Sequence, residues 1–159
     1  MKTWKIISPS TSLRASADDI VEILLENRGI KSKKEREDFL NPKLENVSFK
    51  STGIDPASVR KTIRRISTAV QNNEQIIIYG DYDVDGICGT AILWETLFAF
   101  YKYVMPHIPH RVEEGYGLSV KGIDQVLSEF GDVNLIITVD NGIVAREAVE
   151  YANKKGIDV

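Results

Sequence analysis

The chain has 159 residues, 43% of them hydrophobic and 27% charged, the size and mix of one globular domain or a domain with a small appendage, which excludes a disordered or low-complexity chain. The net charge of −3 hides a split: residues 1–73 carry 14 Lys/Arg against 9 Asp/Glu and residues 74–159 carry 6 against 14, so the first part suits a polyanion and the second suits cations. No apolar run approaches the roughly 20 residues of a membrane span, the Met1–Lys5 start leads into no long apolar leader segment, and the single cysteine, Cys88, fits a reducing cytoplasm without disulfides.

Residues 1–73 read as an N-terminal helical segment. Ser16 with Asp19 opens a helical periodicity through Ile20, Ile23 and Leu24, which Gly29 ends. Ser32 with Glu35 makes a second capping pattern, and that helix runs to Leu40 before Asn41-Pro42 stops it. Residues 43–54 read as a connector. Asp55-Pro56 then starts a helix with Val59, Ile63, Ile66 and Val70 along one face. Arg60, Lys61, Arg64 and Arg65 fall mostly elsewhere on its circumference, either as a solvated face or as a surface for nucleic acid.

From residue 74 the period changes. Gln75–Tyr79 is a short buried strand, Gly80–Gly86 a polar loop, and Ile87–Tyr101 a long helix carrying Ile92, Leu93, Leu97 and Phe100, with Trp94, Phe98 and Phe100 as packing residues and Cys88 as a small core residue. Val104–Ile108 is a strand that Pro106 assigns to a sheet edge. Ser119 caps a helix through Phe130, Leu135–Val139 is a strand, Asp140-Asn141-Gly142 a turn, Val144–Lys155 a helix, and Ile157–Val159 the start of another strand. Strands alternating with helices predict an α/β fold, a parallel sheet with flanking helices whose ligands bind beyond the carboxyl ends of the strands.

The segment Asp81-Tyr82-Asp83-Val84-Asp85-Gly86 places three carboxylates at alternate positions after a buried strand, and no Lys or Arg lies between Arg65 and Lys102 to neutralise them. Like charges so placed need cations or protons. Oxygen-only ligands favour hard ions, Mg²⁺ or Mn²⁺; the simpler reading has one or two of these aspartates capping the next helix or binding turn amides. Asp140 stands at the carboxyl end of the apolar strand Leu135–Val139 in the same way, so Asp83, Asp85 and Asp140 converge if the two strands are neighbours. An EF-hand loop is excluded, because its twelfth position is Ile92 rather than a glutamate. Asp83-Val84-Asp85-Gly86 also looks like the aspartyl nucleophile of haloacid-dehalogenase-type phosphatases, with Ile87 where that family usually has threonine.

Three segments, Tyr79–Gly86, Ile108–Leu118 and Thr138–Ile143, resemble successive motifs of the single-strand-specific 5′ to 3′ exonucleases of the DHH phosphoesterase superfamily, and Leu24–Ile30 and Asp38–Pro42 resemble the helical segment that precedes them. The resemblance implies a metal-dependent exonuclease for single-stranded DNA in repair and recombination. It implies catalytic Asp83, Asp85 and Asp140, a two-metal centre of Mn²⁺ or Mg²⁺ held by these with Asp81 beside them, and a bridging role for Asp140. Superfamily members often have a histidine where Tyr79 stands. Arg111 suits a phosphate oxygen, with a salt bridge to Glu113 or Glu114 as the other reading, and Gly115, Tyr116, Gly117, Asn141 and Gly142 complete the implied substrate-binding set. Residues 74–159 thus read as the N-terminal part of a DHH domain. The Asp-His-His triplet expected after a strand near Ile157 does not occur, so the rest of the polypeptide is expected to complete the site. His107 and His110 read as edge-strand or surface residues, and a DNA- or partner-binding role without catalysis is the other functional reading.

Overall fold

The computed structural model of the protein describes residues 16–159, so the reading of Met1–Lys5 lies outside the described residues. Chain contacts divide it into two compact units, one ending at Pro56 and the other spanning Ala57–Val159. No described helix is long and apolar enough to cross a membrane.

Local chemistry sets the helices of the first unit. In α1 (Ala17–Asn27) the Ser16 hydroxyl accepts from the Asp19 N–H while the Asp19 carboxylate accepts from the Ser16 N–H at 2.8 Å. Ser32 and Glu35 repeat the exchange at the start of α2 (Lys33–Leu40). Each reciprocal pair satisfies amides that a helix start leaves without partners. Arg36 of α2 pairs with Glu22 of α1. The expected connector contains two further turns: a 3₁₀ turn at Leu44–Asn46 and α3 (Phe49–Thr52), capped by Ser48.

The second unit is a three-stranded parallel sheet between two helical layers. Its strands are β1 (Ile76–Tyr79), β2 (Val104–His107) and β3 (Leu135–Thr138), in the order β2-β1-β3. All four residues of β1 are fully buried. Alternation along the strand sends Ile77 and Tyr79 to one face, with Ile123 and Val126 of α6 (Val120–Phe130) and Ala148 and Ala152 of α7 (Arg146–Lys154). Ile76 and Ile78 go to the other, with Ala69 of α4 (Pro56–Gln71) and Leu97 of α5 (Val84–Phe98). A strand buried on both sides reads as an unbroken apolar run for this reason. β2 is an edge strand as Pro106 requires, and Leu135 bridges to Asp158 in parallel, the strand start expected near Ile157.

Several expectations change, among them the start of the last helix, at Arg146 rather than Val144, and the side of Ile92, which is exposed. The α4 stripe packs through Ile66, Ala69 and Val70, while Ile63 is 57% exposed. The long helix starts at Val84 rather than Ile87, because Asp83 already caps it through the Gly86 N–H at 3.0 Å. Cys88 is exposed rather than in the core, since α5 turns Thr90 and Leu97 inward. Phe100 lies past the helix end and is exposed, whereas Trp94 and Phe98 pack against the core with ring centroids 5.2 Å apart.

Candidate active site at the carboxyl ends of β1 and β3

The sheet order fixes where a site can form. From β1 the chain crosses to β2 on one side, and from β2 it passes to β3 on the other. The helices that follow β1 and β3, α5 and α7, pack on opposite faces of the sheet. Their connecting loops therefore diverge, leaving a crevice at the topological switch point. Tyr79 pairs with Thr138 in the register, so Asp81 and Asp140 each stand two residues past matched strand ends.

Asp81 is fully buried; one carboxylate oxygen accepts from the Tyr82 N–H at 2.7 Å and the other, Oδ2, has no hydrogen-bond partner. Asp83 is both the α5 N-cap and an exposed carboxylate, and Asp85 follows in the first turn. The first turn of α5 lies against the Asp81 backbone: a Cβ on Gly86 would sit 2.5 Å from the Asp81 carbonyl oxygen. Asp140 adopts a left-handed backbone, φ 61°, a region that Asp tolerates better than most side chains. Asp140 is exposed, yet partial desolvation of its carboxyl and then the charges of Asp83, Asp85 and Asp81 hold it above the ordinary value of 3.8, with a polar contact to Asp83 adding to the rise. The four aspartates thus share one electrostatic environment, and among the described residues none forms an ion pair. They are not closed around a point: among the described residues no three His, Cys, Asp or Glu side chains are gathered tightly enough to hold a cation. Amides tether Asp81 and Asp83, and mutual repulsion opposes closure of the set.

Tyr79, at the position often histidine in the superfamily, does not face this crevice. Its ring lies in the core, its hydroxyl donates to the Gly117 carbonyl at 3.3 Å, and burial with the Glu114 charge raises its pKa. Arg111 makes no salt bridge to Glu113 or Glu114. Its guanidinium lies over the Tyr82 ring at 5.0 Å, and Tyr82 meets Tyr116 edge to face at 6.0 Å. Tyr116 is held out between Gly115 (φ 92°) and Gly117 (φ 64°), both in conformations that favour glycine. A polar contact with Asp81, and then the charges of Asp81, Asp140 and Asp83, raise the pKa of the Tyr116 phenol.

Asn141 braces the two strand ends, donating from Nδ2 to the carbonyls of Val139 at 2.9 Å and Tyr79 at 3.2 Å, while its Oδ1 is buried without a partner. Gly142 carries the chain past Thr138 with φ 98°. A cleft of about 440 Å³ separates the Tyr116–Leu118 segment from the Asp140–Ala145 loop. Sequence reasoning missed the buried pair beneath this arch: His107 Nε2 lies 2.8 Å from Glu114 Oε2, both side chains 8% exposed.

An orphaned buried carboxylate oxygen, a neighbouring carboxyl raised by desolvation and by three like charges, and an all-oxygen donor set suit a hard divalent cation. Comparison with known proteins agrees with the geometry. Residues 75–159 match the DHH family, N-terminal domain. The chain is 34% identical over 140 residues to the single-stranded-DNA-specific exonuclease RecJ of Bacillus subtilis, covering 88% of this chain and 17% of that protein. It is 30% identical over 157 residues to RecJ of Escherichia coli K12, covering 96% and 25%. A crystal structure of exonuclease RecJ bound to manganese superimposes with a TM-score of 0.53 at 36% identity, over 62% of this chain and 25% of that one. RecJ from Thermus thermophilus in complex with Mn²⁺ gives 0.54 at 26% identity, over 84% and 17%. The chain spans at most a quarter of the length of these relatives. The family match takes in the whole carboxylate crevice and more than half of the residues, and the chain belongs to the DHH phosphoesterase family as a RecJ-like member.

Proposed function

We propose that this chain supplies the aspartate-rich half of a two-cation phosphodiesterase centre, Mn²⁺ or Mg²⁺, that removes nucleotides from the 5′ end of single-stranded DNA. Asp81, Asp83, Asp85 and Asp140 would hold the cations, with Asp140, two residues past the end of β3, as the shared ligand. The chemistry that paired cations supply at a phosphodiester is Lewis acidity and a lowered pKa for the attacking water.

The chain's own residues position the substrate. Arg111 offers a planar set of donors to a phosphate oxygen, and Tyr116 presents an exposed ring beside the cleft, where a base can stack. Gly117 and Gly142 let the backbone come close to the strand. Family membership replaces the phosphoaspartyl reading of Asp83. The observation that supports the proposal is the polar contact of Asp140 with Asp83 at the switch point, within the field of Asp85 and Asp81 and with no ion pair to any of the four among the described residues.

Titration of the chain with Mn²⁺, followed by loss of the free-ion paramagnetic resonance signal, tests it. Asp83→Asn and Asp140→Asn should each weaken binding by about tenfold or more, roughly 1.4 kcal/mol. Unchanged Mn²⁺ binding in both variants refutes the centre. Removal of the divalent cation by a chelator should abolish any 5′ nucleotide release from oligothymidylate.

A further inference from the structure

The segment from Ile108 to Leu118, which carries Arg111 and Tyr116, is secured by buried polar contacts centred on one carboxylate. Glu114 is 9% exposed, and a carboxylate is rarely so deep without partners. Its Oε1 accepts the His110 N–H at 2.7 Å, its Oε2 lies 2.8 Å from His107 Nε2 at the end of β2, and its carbonyl accepts the Ser119 hydroxyl at 2.8 Å. Ser119 in turn caps α6 through the Gly122 N–H at 2.9 Å. One residue thus ties the arch to a strand, to its own ascending limb and to the next helix. Helix α6 is pressed onto this clamp: a Cβ on Gly122 would collide with the Tyr79 hydroxyl and lie 3.2 Å from Glu114 Oε2.

Arg111 and Tyr116 have no comparable anchorage. Arg111 lies over the Tyr82 ring at 5.0 Å, and Tyr116, 71% exposed, meets the same ring at 6.0 Å and has one polar contact, with Asp81. We infer that Glu114, backed by His107, is a positioning residue that holds Arg111 and Tyr116 at the mouth of the carboxylate crevice and so sets the grip on the 5′-terminal nucleotide. The inference rests on the proposed function, in that Arg111 and Tyr116 are taken to contact the DNA. Apolar packing could close this loop as stably. A buried carboxylate with both oxygens partnered fixes one geometry instead, and a catalytic site needs one geometry, since a displacement of about 1 Å can cost on the order of 100-fold.

The test is fluorescence anisotropy of the chain with a 5′-phosphorylated oligothymidylate and its 5′-hydroxyl counterpart, beside Mn²⁺ binding. Glu114→Ala should weaken binding of the phosphorylated strand about tenfold and erase its advantage over the 5′-hydroxyl strand, with Mn²⁺ affinity within about twofold of wild type. Glu114→Gln can still accept from His110 and donate to His107, and should restore affinity to within about threefold. Glu114→Asp keeps the charge but is one methylene too short to span both partners; should Glu114→Ala fail to fold, Glu114→Asp serves in its place and should show a loss of about fivefold. Wild-type affinity in Glu114→Ala, or in Glu114→Asp, while Arg111→Ala binds weakly overturns the positioning role alone. No loss in either Arg111→Ala or Tyr116→Ala overturns the substrate contacts themselves, and the inference with them.

Discussion

Gly86 gives a prediction in which two effects of opposite sign can be weighed. It sits in the first turn of α5, where alanine normally favours a helix over glycine by about 1 kcal/mol. Against this, a Cβ at Gly86 would lie 2.5, 2.6 and 2.7 Å from the carbonyl oxygen, amide nitrogen and carbonyl carbon of Asp81. All three are backbone atoms two residues past the most buried strand, so no side chain can rotate aside. Overpacking that forces backbone to move costs up to about 3 kcal/mol, and the absence of a yielding atom places Gly86→Ala at the upper end. The net expectation is a loss of about 1 to 2 kcal/mol, or a fall of roughly 5 to 15 °C in the thermal midpoint of a unit this size. Circular dichroism melts measure it. Gly89→Ala in the same helix is the control: there the new Cβ meets only the Val139 Cγ1, at 2.8 Å, a methyl that can turn away, and the midpoint should stay within about 4 °C. A Gly86→Ala midpoint equal to or above wild type would refute the claim that the helix is seated on the Asp81 backbone.

Other predictions separate roles that single residues combine. Asp83→Asn keeps a side chain that caps α5 and should leave the melting midpoint nearly unchanged, whereas Asp83→Ala loses the bond to the Gly86 N–H and should cost about 1 kcal/mol in urea unfolding; equal stability of the two variants would deny Asp83 its capping role. Arg65, 29% exposed, pairs with Glu74 at 2.8 Å and with Asp158, so Arg65→Ala, which strands the more buried Glu74, should cost about 1 to 2 kcal/mol, read by the same unfolding curves. In the first unit, backbone and then hydroxyl donation from Ser32 hold the Glu35 carboxyl below its ordinary 4.5, and the same order of contacts from Ser16 holds Asp19 below 3.8. A depressed folded value stabilises above the unfolded one and is lost as pH falls through the folded one, so α1 and α2 should fray only on acidification. Ser32→Ala should move the Glu35 titration, followed by carboxyl carbon resonances, part of the way back up; an unmoved curve would contradict the capping box.

Much of the fold could be read from local signals. The Ser16/Asp19 and Ser32/Glu35 exchanges span three residues, and the apolar runs at Ile76–Tyr79 and Leu135–Thr138 are too short and too uniform for amphipathic helices. What escaped depended on contacts distant in sequence or on one residue serving two purposes. Gly86 resembles a loop glycine but is helical, because close approach to Asp81 and not a turn is what excludes a Cβ. Cys88 follows an apolar pattern yet faces outward, since α5 is apolar nearly all round and only packing decides which side is covered, and Phe100 continues that pattern past the point where the helix ends. The His107–Glu114 pair joins an edge strand to a loop, and neither residue stands in a periodic pattern that would announce it. The carboxylate crevice was the reverse case. Alternating aspartates after a buried strand carry their own argument, and only the β2-β1-β3 order was needed to bring Asp140 alongside.

β1 is paired along its whole length with β2 on one side and β3 on the other and is covered by helices on both faces, and the acidic loop springs directly from it. Its amides can exchange with solvent only when the whole unit opens, so the loop is rooted in the last part of the protein to come apart. Partial melting could then release peripheral helices while sparing the carboxylates, whereas any fluctuation large enough to scatter them would also dissolve the fold that carries them.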